Sequence, residues 1–361
     1  MKILLVDTSV DGHHITYING LTAVENAEFV ALLPETDKKI HCRQIVVNNK
    51  EGAKRNFFDF KKWINEVYEV CKEENPDVVH FLYGDSFYRY FGFGLSKFKK
   101  YKTVITLHWA RSGFLQRIST RRICKNVSTT AVHSAYIKEL MESYGAKNIE
   151  HVEYPQFNQH FVDKAAACKF WSLDETIPVI GCIGGTRHDK GLDILLEALN
   201  YVDKPFQLLI AGKEESFSED FIKEHSKSYS DKVHAYLKFL SDEELANAIA
   251  ACDIIALPYR RVFDGASGPL GEGVSMGKCI VGPNHGTLGY TINRYDLGYT
   301  FETENTTSMS EVISRALERN DLTLTEAYLL YQTMLNPKNF SNQYAYLYVQ
   351  SSFTKGKVAI I

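Results

Sequence analysis

The chain lacks the sequence patterns that mark several common classes of enzyme. Its 361 residues contain no GxxxxGK(S/T) phosphate-binding loop, no HExxH, and no GxGxxG between a strand and a helix. They also contain no Asp-x-Asp pair of the kind that holds a catalytic divalent metal. These absences disfavour nucleotide kinases, metallohydrolases and dehydrogenases.

Long apolar runs and paired cysteines are missing as well. No segment approaches the roughly 20 apolar residues of a membrane-spanning helix. The seven cysteines are scattered and include no CxxC pair, which disfavours a disulfide framework or a zinc site and favours a reducing cytoplasm. The N-terminal stretch MKILLVDTSVDG becomes polar too early for a signal peptide and predicts a first β-strand.

Charge is unevenly divided along the chain. Residues 1–170 contain 24 Lys and Arg against 19 Asp and Glu, whereas residues 171–361 contain 17 against 25. Residues 97–125 carry nine basic side chains and no acidic one. Such a block is typical of contact with an anionic partner such as a membrane surface, and a solvated helix face is the alternative. A nucleic-acid partner is not expected.

The chain is organised as alternating strand and helix segments. Short apolar stretches rich in β-branched residues are separated by amphipathic or turn-rich stretches from end to end. Near-continuous apolar strands flanked by helices predict parallel sheets covered on both faces, and two such sets predict two doubly wound α/β domains. We predict one domain over 1–160, completed by a C-terminal helix over 337–353, and a second over 174–335.

Ligands of doubly wound sheets bind beyond the carboxyl ends of the strands, so residues that directly follow predicted strands are the first candidates. The segment IGGTRHDKGLDILLEAL, residues 183–199, is one of them. Gly185 leaves room for a ligand beside the backbone, while Arg187 and Lys190 offer a planar fork and a compact charge that suit a diphosphate. The alternative is a helix start capped by Asp189, with two solvated cations.

A second glycine-rich segment, FDGASGPLGEGVSMGK at 263–278, also follows an apolar strand. Proline is favoured in the first helical turn, and free amides at a helix start bind anions without a side chain. Glu272, interpreted as part of the first turn, would accept hydrogen bonds from a ribose diol. The alternative is a glycine-rich turn with a Glu favoured by the helix dipole. The residues that would form the anion site are Ser267, Gly268, Pro269 and Leu270.

The N-terminal half places histidines at the same kind of position. Gly12 begins the turn after the first strand, and His13 and His14 open the next helix. Two adjacent histidines there would reach into a cleft between the domains, with a structural role as the alternative. His108 ends the strand TVITLHW, again at a carboxyl end.

Three segments of the C-terminal half, within residues 177–320, together resemble the family-4 retaining glycosyltransferases. This family has the GT-B architecture, in which two Rossmann-like domains flank an interdomain cleft. GGTRHDKGLDILLEAL is similar to the family's Gly–Arg–Lys–Gly segment, and DGASGPLGEGVSMGKCIVG to its Glu-x7-Glu loop and helix. FLSDEELANAIAACDIIALPYR looks like the helix and strand before that loop. The N-terminal half matches loosely, through VDGHHITYINGL and VITLHW.

The resemblance implies transfer of a sugar from a nucleotide-diphosphate sugar to a glycan or lipid-linked acceptor. It implies retention of anomeric configuration, no metal, no cofactor, and a place in polysaccharide or glycoconjugate synthesis in the cytoplasm. Glu272 would bind the ribose, while Arg187, Lys190 and the amides near Ser267–Leu270 would hold the diphosphate. His108 and the Gly12–His14 loop would line the sugar and the acceptor.

Two features depart from the family pattern. Asp264 stands where the first Glu of Glu-x7-Glu usually contacts the donor sugar hydroxyls, and it is one methylene shorter. The spacing between Arg187 and Lys190 is two residues tighter than the common version.

Two other functions stay open on the sequence. A nucleotide-sugar epimerase of GT-B fold would also grip a diphosphate, although the chain shows no persuasive cluster of catalytic acids. A catalytically degenerate, glycosyltransferase-like binding subunit is favoured by Asp264 and disfavoured by Arg187, Lys190 and Glu272.

The basic segment 97–125 also contains apolar residues. A lipid-linked acceptor at an anionic membrane would suit this mixture, whereas helix faces around a basic acceptor cleft would look the same. The apolar residues are Phe114, Leu115, Ile118 and Ile123.

Overall fold

The chain divides into two compact units in the computed structural model. Unit 1 comprises Met1–Phe157 with Asn336–Ile361, and unit 2 comprises Asn158–Leu335. The structure describes residues 1–11, 13–48, 56–110, 112–157, 162–263, 265, 267–318 and 324–350.

Unit 1 is built on a parallel sheet. Its strands are β1 (Lys2–Val6), β2 (Glu28–Leu33), β3 (Arg43–Val46), β4 (Val78–Phe81), β5 (Lys102–Leu107), β6 (Thr129–Val132) and β7 (Ile149–His151). They lie side by side in the order β3-β2-β1-β4-β5-β6-β7. The intervening helices are α1 (His14–Leu21), α2 (Phe57–Glu74), α3 (Phe114–Lys125) and α4 (Ala135–Ser143), with 3-10 turns at Gly84–Tyr90 and Leu95–Phe98.

The central strands of unit 1 are apolar along their whole length because both faces of the sheet are covered. Every residue of β4 and β6 is buried, and so is every residue of β1 and β5 after the first. This is the pattern of a parallel sheet between two helical layers. Each helix can begin locally where a cap is present: the side chain of Asn56 accepts hydrogen bonds from the amides of Phe58 and Asp59 at the start of α2.

Unit 2 repeats this arrangement with different elements. Its strands are β8 (Val179–Ile183), β9 (Gln207–Ala211), β10 (Val233–Tyr236), β11 (Ile254–Ala256), β12 (Cys279–Pro283) and β13 (Gly298–Phe301), in the parallel order β10-β9-β8-β11-β12-β13. Its helices are α5 (Lys164–Phe170), α6 (Leu192–Leu199), α7 (Glu219–His225), α8 (Asp242–Ala251), α9 (Gly268–Ser275), α10 (Gly286–Arg294), α11 (Thr306–Glu318) and α12 (Glu326–Met334). Two 3-10 turns lie at His188–Lys190 and Lys227–Lys232.

The last helix, α13 (Pro337–Gln350), belongs to unit 1 and buries an aromatic stripe in it. The hydroxyl of Tyr344 lies 2.5 Å from that of Tyr17, and the hydroxyl of Tyr348 lies 2.7 Å from His80 Nδ1. Burial lowers the pKa of His80 to about 3, so the imidazole is neutral in this network. The predicted helix residues 351–353 lie outside the described residues.

The strand order reverses at one place in each sheet. The reversal falls between β1 and β4 in unit 1 and between β8 and β11 in unit 2. Loops that leave the carboxyl ends of the two strands diverge there and open a crevice, which is where such sheets bind ligands. The predicted α/β class with two doubly wound parallel sheets is confirmed.

The structure also bears on membrane-spanning helices and on disulfide bonds. No helix among the described residues is long and apolar enough to span a lipid bilayer. All seven cysteines are described, and each is a free thiol.

Candidate functional site

Lys190 lies at the carboxyl end of β8, in the 3-10 turn that precedes α6. Gly184 has a φ of +116°, and a Cβ atom there would lie 2.7 Å from Lys190 Nζ. Glycine therefore lets the ammonium group lie against the end of the strand. Its pocket is lined by Gly184, Gly185, Thr186, Lys190 and Tyr259, among others. Burial lowers the pKa of Lys190, and no described residue forms an ion pair with it.

Arg187, predicted to bind the diphosphate with Lys190, is paired within its own loop. Its Nε and Nη2 atoms lie 2.9 and 2.7 Å from the two carboxylate oxygens of Asp189. Asp189 is therefore an ion-pair partner and not a helix cap. Gly191 occupies the cap position of α6, without a side-chain hydrogen bond.

A carboxylate of the protein lies beside Gly185. A Cβ atom at Gly185 would lie 3.2 Å from the carboxyl carbon of Glu215, which comes from the loop after β9. The prediction that Gly185 leaves room for a ligand beside the backbone stays a prediction.

Helix α9 begins at Gly268, with Ser267 as its cap. The hydroxyl of Ser267 accepts a hydrogen bond from the amide of Leu270 at 3.4 Å and lies 3.3 Å from the hydroxyl of Tyr259. Pro269 occupies the first turn and has no N–H. The helix start therefore offers fewer free amides than predicted, because Ser267 satisfies that of Leu270.

Glu272 is the fifth residue of α9 and not part of the first turn, which corrects the sequence interpretation. Its side chain still points toward the helix start, because a Cβ atom at Gly268 would lie 3.8 Å from Glu272 Oε1. Burial, and to a lesser degree the charge of Asp242, raises the pKa of Glu272 to about 7. The carboxyl group therefore changes charge near neutral pH.

Two predicted site residues cannot be placed. Asp264, the predicted sugar-contacting carboxylate, and Gly12, the predicted turn residue after β1, both lie outside the described residues. Between Asp264 and α9 only Gly265 and Ser267 are described.

In unit 1, His108 follows β5 and is oriented by Asp85. The carboxylate of Asp85 lies 3.2 Å from His108 Nδ1 and accepts the backbone amides of His108 and Trp109 at 3.0 and 3.1 Å. Because a carboxylate only accepts, Nδ1 donates to Asp85, and Nε2 is the ring nitrogen directed away from this carboxylate. That Nε2 atom is buried and has no partner among the described residues.

A stack of three rings joins His108 to the end of β1. Tyr83 lies 4.0 Å from His108 on one face and 4.0 Å from His14 on the other, between ring centroids. His14 Nδ1 lies 2.8 Å from the buried carboxylate of Asp7. Two Asp–His pairs therefore flank one tyrosine. His13, the cap residue of α1, is exposed and forms no side-chain capping bond.

A further histidine, His133, follows β6 and was missed from the sequence. Its ring centroid lies 5.1 Å from that of His108, and its Nδ1 donates a 2.7 Å hydrogen bond to the carbonyl of Val152. Burial, and then the neighbouring His108, lowers the pKa of His133 well below its usual range. The position directly after a strand is the signal that would have found His133, and equally Asp7 and Tyr83.

The histidine and carboxylate side chains at this end of the unit 1 sheet can accept hydrogen bonds but do not form a metal centre. The described residues contain no cluster of three or more His, Cys, Asp or Glu side chains that could hold a metal ion. Neutral imidazoles with a free lone pair suit the hydroxyl groups of a sugar.

The basic segment 97–125 has an exposed apolar end on α3. Phe114 and Leu115, in the first turn, are 76% and 59% exposed. Ile118 is half-buried, and Ile123 is fully buried in the core of unit 1, so the inclusion of Ile123 in a surface patch is wrong. Among the basic residues, burial lowers the pKa of Lys102 to about 8, and Arg111 lies outside the described residues.

Residues 163–327 match the family model described as "Glycosyl transferases group 1". This stretch contains β8–β13 and the Lys190, Arg187 and Glu272 side chains just described. The match covers 165 of the 361 residues, which is less than half of the chain. Assignment to family 4 stays a prediction.

Curated relatives of this group 1 domain include glycogen synthases. That of Thermodesulfovibrio yellowstonii is 30% identical over 143 residues, which cover 39% of this chain. The match spans only 28% of the length of that glycogen synthase.

Solved structures resemble the chain over nearly its whole length. A glycosyltransferase from Rickettsia africae has a TM-score of 0.75 at 18% identity, covering 98% of this chain and 99% of its own. Anabaena HepE, solved in complex with UDP-glucose, has a TM-score of 0.68 at 16% identity, covering 96% and 99%. At such identities the likeness concerns the fold, and it confirms the predicted GT-B fold class. The predicted cleft between the two domains stays a prediction.

Proposed function

We propose that this protein transfers a sugar from a nucleotide-diphosphate sugar to a hydroxyl acceptor, with the donor bound at the carboxyl edge of unit 2. The observation that carries this proposal is the placement of Lys190. Its half-buried ammonium group faces a glycine-lined pocket at the strand-order reversal and pairs with no described carboxylate. The ammonium group lies 5.7 Å from the centroid of the Tyr259 ring, and a partly desolvated cation with no salt bridge to a described residue is suited to an anionic ligand.

The proposed chemistry follows from the charges on this edge. Cleavage of the sugar–phosphate bond moves negative charge onto the leaving diphosphate, and a fixed cation stabilises that charge as it develops. Lys190 and the start of α9 would do so without a metal ion. Glu272, directed toward the helix start, would accept hydrogen bonds from the ribose hydroxyls.

Unit 1 would supply neutral hydrogen-bonding groups for the sugar and its acceptor. Asp85 orients His108 through its Nδ1 atom, and Asp7 orients His14 in the same way, so the Nε2 atom of each ring would be available to a hydroxyl group. We include retention of anomeric configuration in the proposal because of the family-4 resemblance of the donor segments. Asp264 and Gly12 keep their proposed roles at the sugar and the acceptor, together with the exposed His13.

The names of similar proteins indicate which donors and acceptors to try first. HepE was solved with UDP-glucose, which makes UDP-sugars the first donors to test. Glycogen synthases match the donor domain, which supports a glycan acceptor and a role in polysaccharide or glycoconjugate synthesis.

The test is a thermal-shift screen of the full chain against UDP-glucose, GDP-mannose and ADP-glucose. A ligand that binds only the native state raises the melting temperature, so one nucleotide class should give a concentration-dependent increase. The matching nucleoside without phosphates is the control and should give a much smaller shift. Failure of all three donors to raise the melting temperature would overturn the proposal.

Product analysis separates transfer from the two alternatives. A transferase releases nucleoside diphosphate faster when an acceptor is present and hydrolyses the donor slowly without one. An epimerase instead interconverts the sugar while the nucleotide sugar stays intact, and a binding subunit does neither.

We also propose that unit 1 associates with anionic membranes through α3. The exposed Phe114 and Leu115 precede the exposed basic residues Arg121, Arg122 and Lys125 on the same helix. An interfacial helix binds through this combination of apolar and basic side chains.

Co-sedimentation with vesicles tests the membrane proposal. Phosphatidylglycerol-containing vesicles should retain the protein, and neutral phosphatidylcholine vesicles should not. Replacing both Phe114 and Leu115 by Ser should abolish retention, whereas Phe239→Ser, at an 82% exposed phenylalanine of unit 2, should not. Equal binding of the two variants would contradict a docking role for α3.

A further inference from the structure

The pairing of Arg187 with Asp189 occupies one of the two forked edges with which the guanidinium group can bind a phosphate. Nε and Nη2 form one edge of the guanidinium group, and both point at the Asp189 carboxylate, at 2.9 and 2.7 Å. Arginine binds carboxylates and phosphates through the same two-pronged geometry. A diphosphate at this edge and Asp189 therefore compete for the same N–H groups.

A second carboxylate adds to the effect of Asp189. Glu215 lies against Gly185, and its charge acts on both Arg187 and Lys190. The hydrogen bonds from Arg187 to Asp189, with a smaller contribution from the charge of Glu215, raise the pKa of Arg187. The two cations predicted to hold a diphosphate thus share their surroundings with two anions.

The loop itself does not depend on this ion pair for its shape. Arg260, which follows β11, donates from Nε to the carbonyl of His188 at 3.0 Å and from its backbone amide to the carbonyl of Asp189 at 3.0 Å. Asp193 holds the other end of Arg260, with a 2.5 Å contact to Nη2. The backbone of residues 188–189 is therefore anchored from β11, so neutralising the Asp189 side chain leaves the anchor intact.

The strength of the Arg187–Asp189 pair is limited by solvent. The two side chains are 50% and 30% exposed, and exposed ion pairs contribute little to stability. A phosphate group that binds these two N–H groups of Arg187 must displace Asp189, at a small cost in free energy.

We propose that Asp189 sets the affinity for the donor: it holds Arg187 in an ion pair that the diphosphate must displace. The inference rests on the proposed function, because it assumes that the edge binds a nucleotide diphosphate. Removal of the Asp189 charge frees Arg187 and removes a nearby anion. Asp189→Asn therefore binds nucleoside diphosphates more tightly and releases them more slowly.

Calorimetric titration of the full chain tests this, with UDP, GDP or ADP, whichever stabilises the wild type most. Asp189→Asn should lower the Kd about two- to five-fold, the range expected for an exposed pair. In the Arg187→Gln background the same substitution should change the Kd little, because its target is gone. Inorganic pyrophosphate should show the same tightening, since Asp189 acts on the phosphates and not on the base.

A matched control removes an ion-paired carboxylate near the amino ends of the strands of unit 2, away from the proposed site. Glu318 pairs with Lys204 at 3.0 Å, and Lys204 lies just before β9. Glu318→Gln should leave the Kd unchanged, which separates a local effect from a change in net charge.

The outcomes distinguish the two proposals. If the wild type binds none of the three nucleoside diphosphates, the proposed function fails. If it binds one, and Asp189→Asn binds with equal or lower affinity, the inference alone fails. Equal tightening by Asp189→Asn with and without Arg187 would also overturn it, because the effect would then not pass through the ion pair.

Discussion

The two units have the same kind of sheet but carry different chemistry at the carboxyl ends of their strands. In unit 1 this edge presents rings and carboxylate-oriented imidazoles, such as the Asp85–His108 pair. In unit 2 it presents glycines, the cations Lys190 and Arg187, and the start of a helix. The sheet determines where a ligand lies in each unit, and the residues after the strands determine which ligand it is.

The site residues of the two units differ in charge, which indicates that the units bind different parts of the substrates. Burial keeps His133 neutral, so it cannot attract a phosphate as a cation would, whereas Lys190 keeps a compact positive charge beside its pocket. Neutral acceptors suit hydroxyl groups, and fixed cations suit a leaving diphosphate. Substitutions in unit 1 should therefore change turnover alone, and substitutions in unit 2 should change nucleotide binding as well.

The largest effect is expected for Lys190→Ala. Loss of this cation should lower kcat/KM for sugar transfer or donor hydrolysis about 10²-fold, or about 3 kcal/mol in the barrier. Circular dichroism should show an intact fold, and Lys204→Ala, at an exposed lysine, should behave as wild type. Turnover of Lys190→Ala close to that of wild type would remove the basis for assigning the diphosphate to unit 2.

A smaller effect is expected for Asp85→Asn in unit 1. The substitution removes the charged acceptor that orients His108, which should lower kcat about ten-fold. Nucleoside diphosphate affinity, measured by calorimetry, should stay within error of wild type. A loss of nucleoside diphosphate affinity in Asp85→Asn would show that residues of unit 1 also contribute to nucleotide binding.

The smallest effect concerns pH and Glu272. Its pKa of about 7 means that the carboxyl group is protonated in mild acid and ionised in mild base. If the ionised form binds the ribose, uridine-diphosphate affinity should rise a few-fold more from about pH 6 to about pH 8 in wild type than in Glu272→Gln. Identical pH profiles in the two proteins would argue against ribose binding by this residue.

The stability of the folded protein provides a second test of Glu272. Stability should fall as the pH rises, whereas nucleotide affinity should rise. Because the folded-state pKa is raised, stability from this group is lost as the pH rises through about 7. Glu272→Gln should therefore gain melting temperature relative to wild type progressively as the pH rises from about 4.5 to about 7, and the difference should stay constant above pH 7.

Much of the site could be placed from the sequence because it depends on neighbours along the chain. A strand followed by glycines and a helix start is a local pattern, so the positions of Lys190, Ser267 and His108 at carboxyl ends were predictable. The partners of these residues were not. Asp85 reaches His108 only because β4 and β5 are adjacent, and Tyr83 reaches His14 only because β1 lies beside β4.

The amino-acid sequence by itself determined the alternation of buried strands and amphipathic helices, and with it two parallel sheets, because burial on both faces requires continuous apolar strands. It also determined which loops follow strand ends. Only the tertiary structure decided that Lys190 forms no salt bridge with a described residue, whereas Arg187 is paired with Asp189. Only it decided that Glu272 is buried enough to titrate near pH 7. The physical reason is that pairing and desolvation depend on distances between segments, and residue spacing along the chain does not specify those distances.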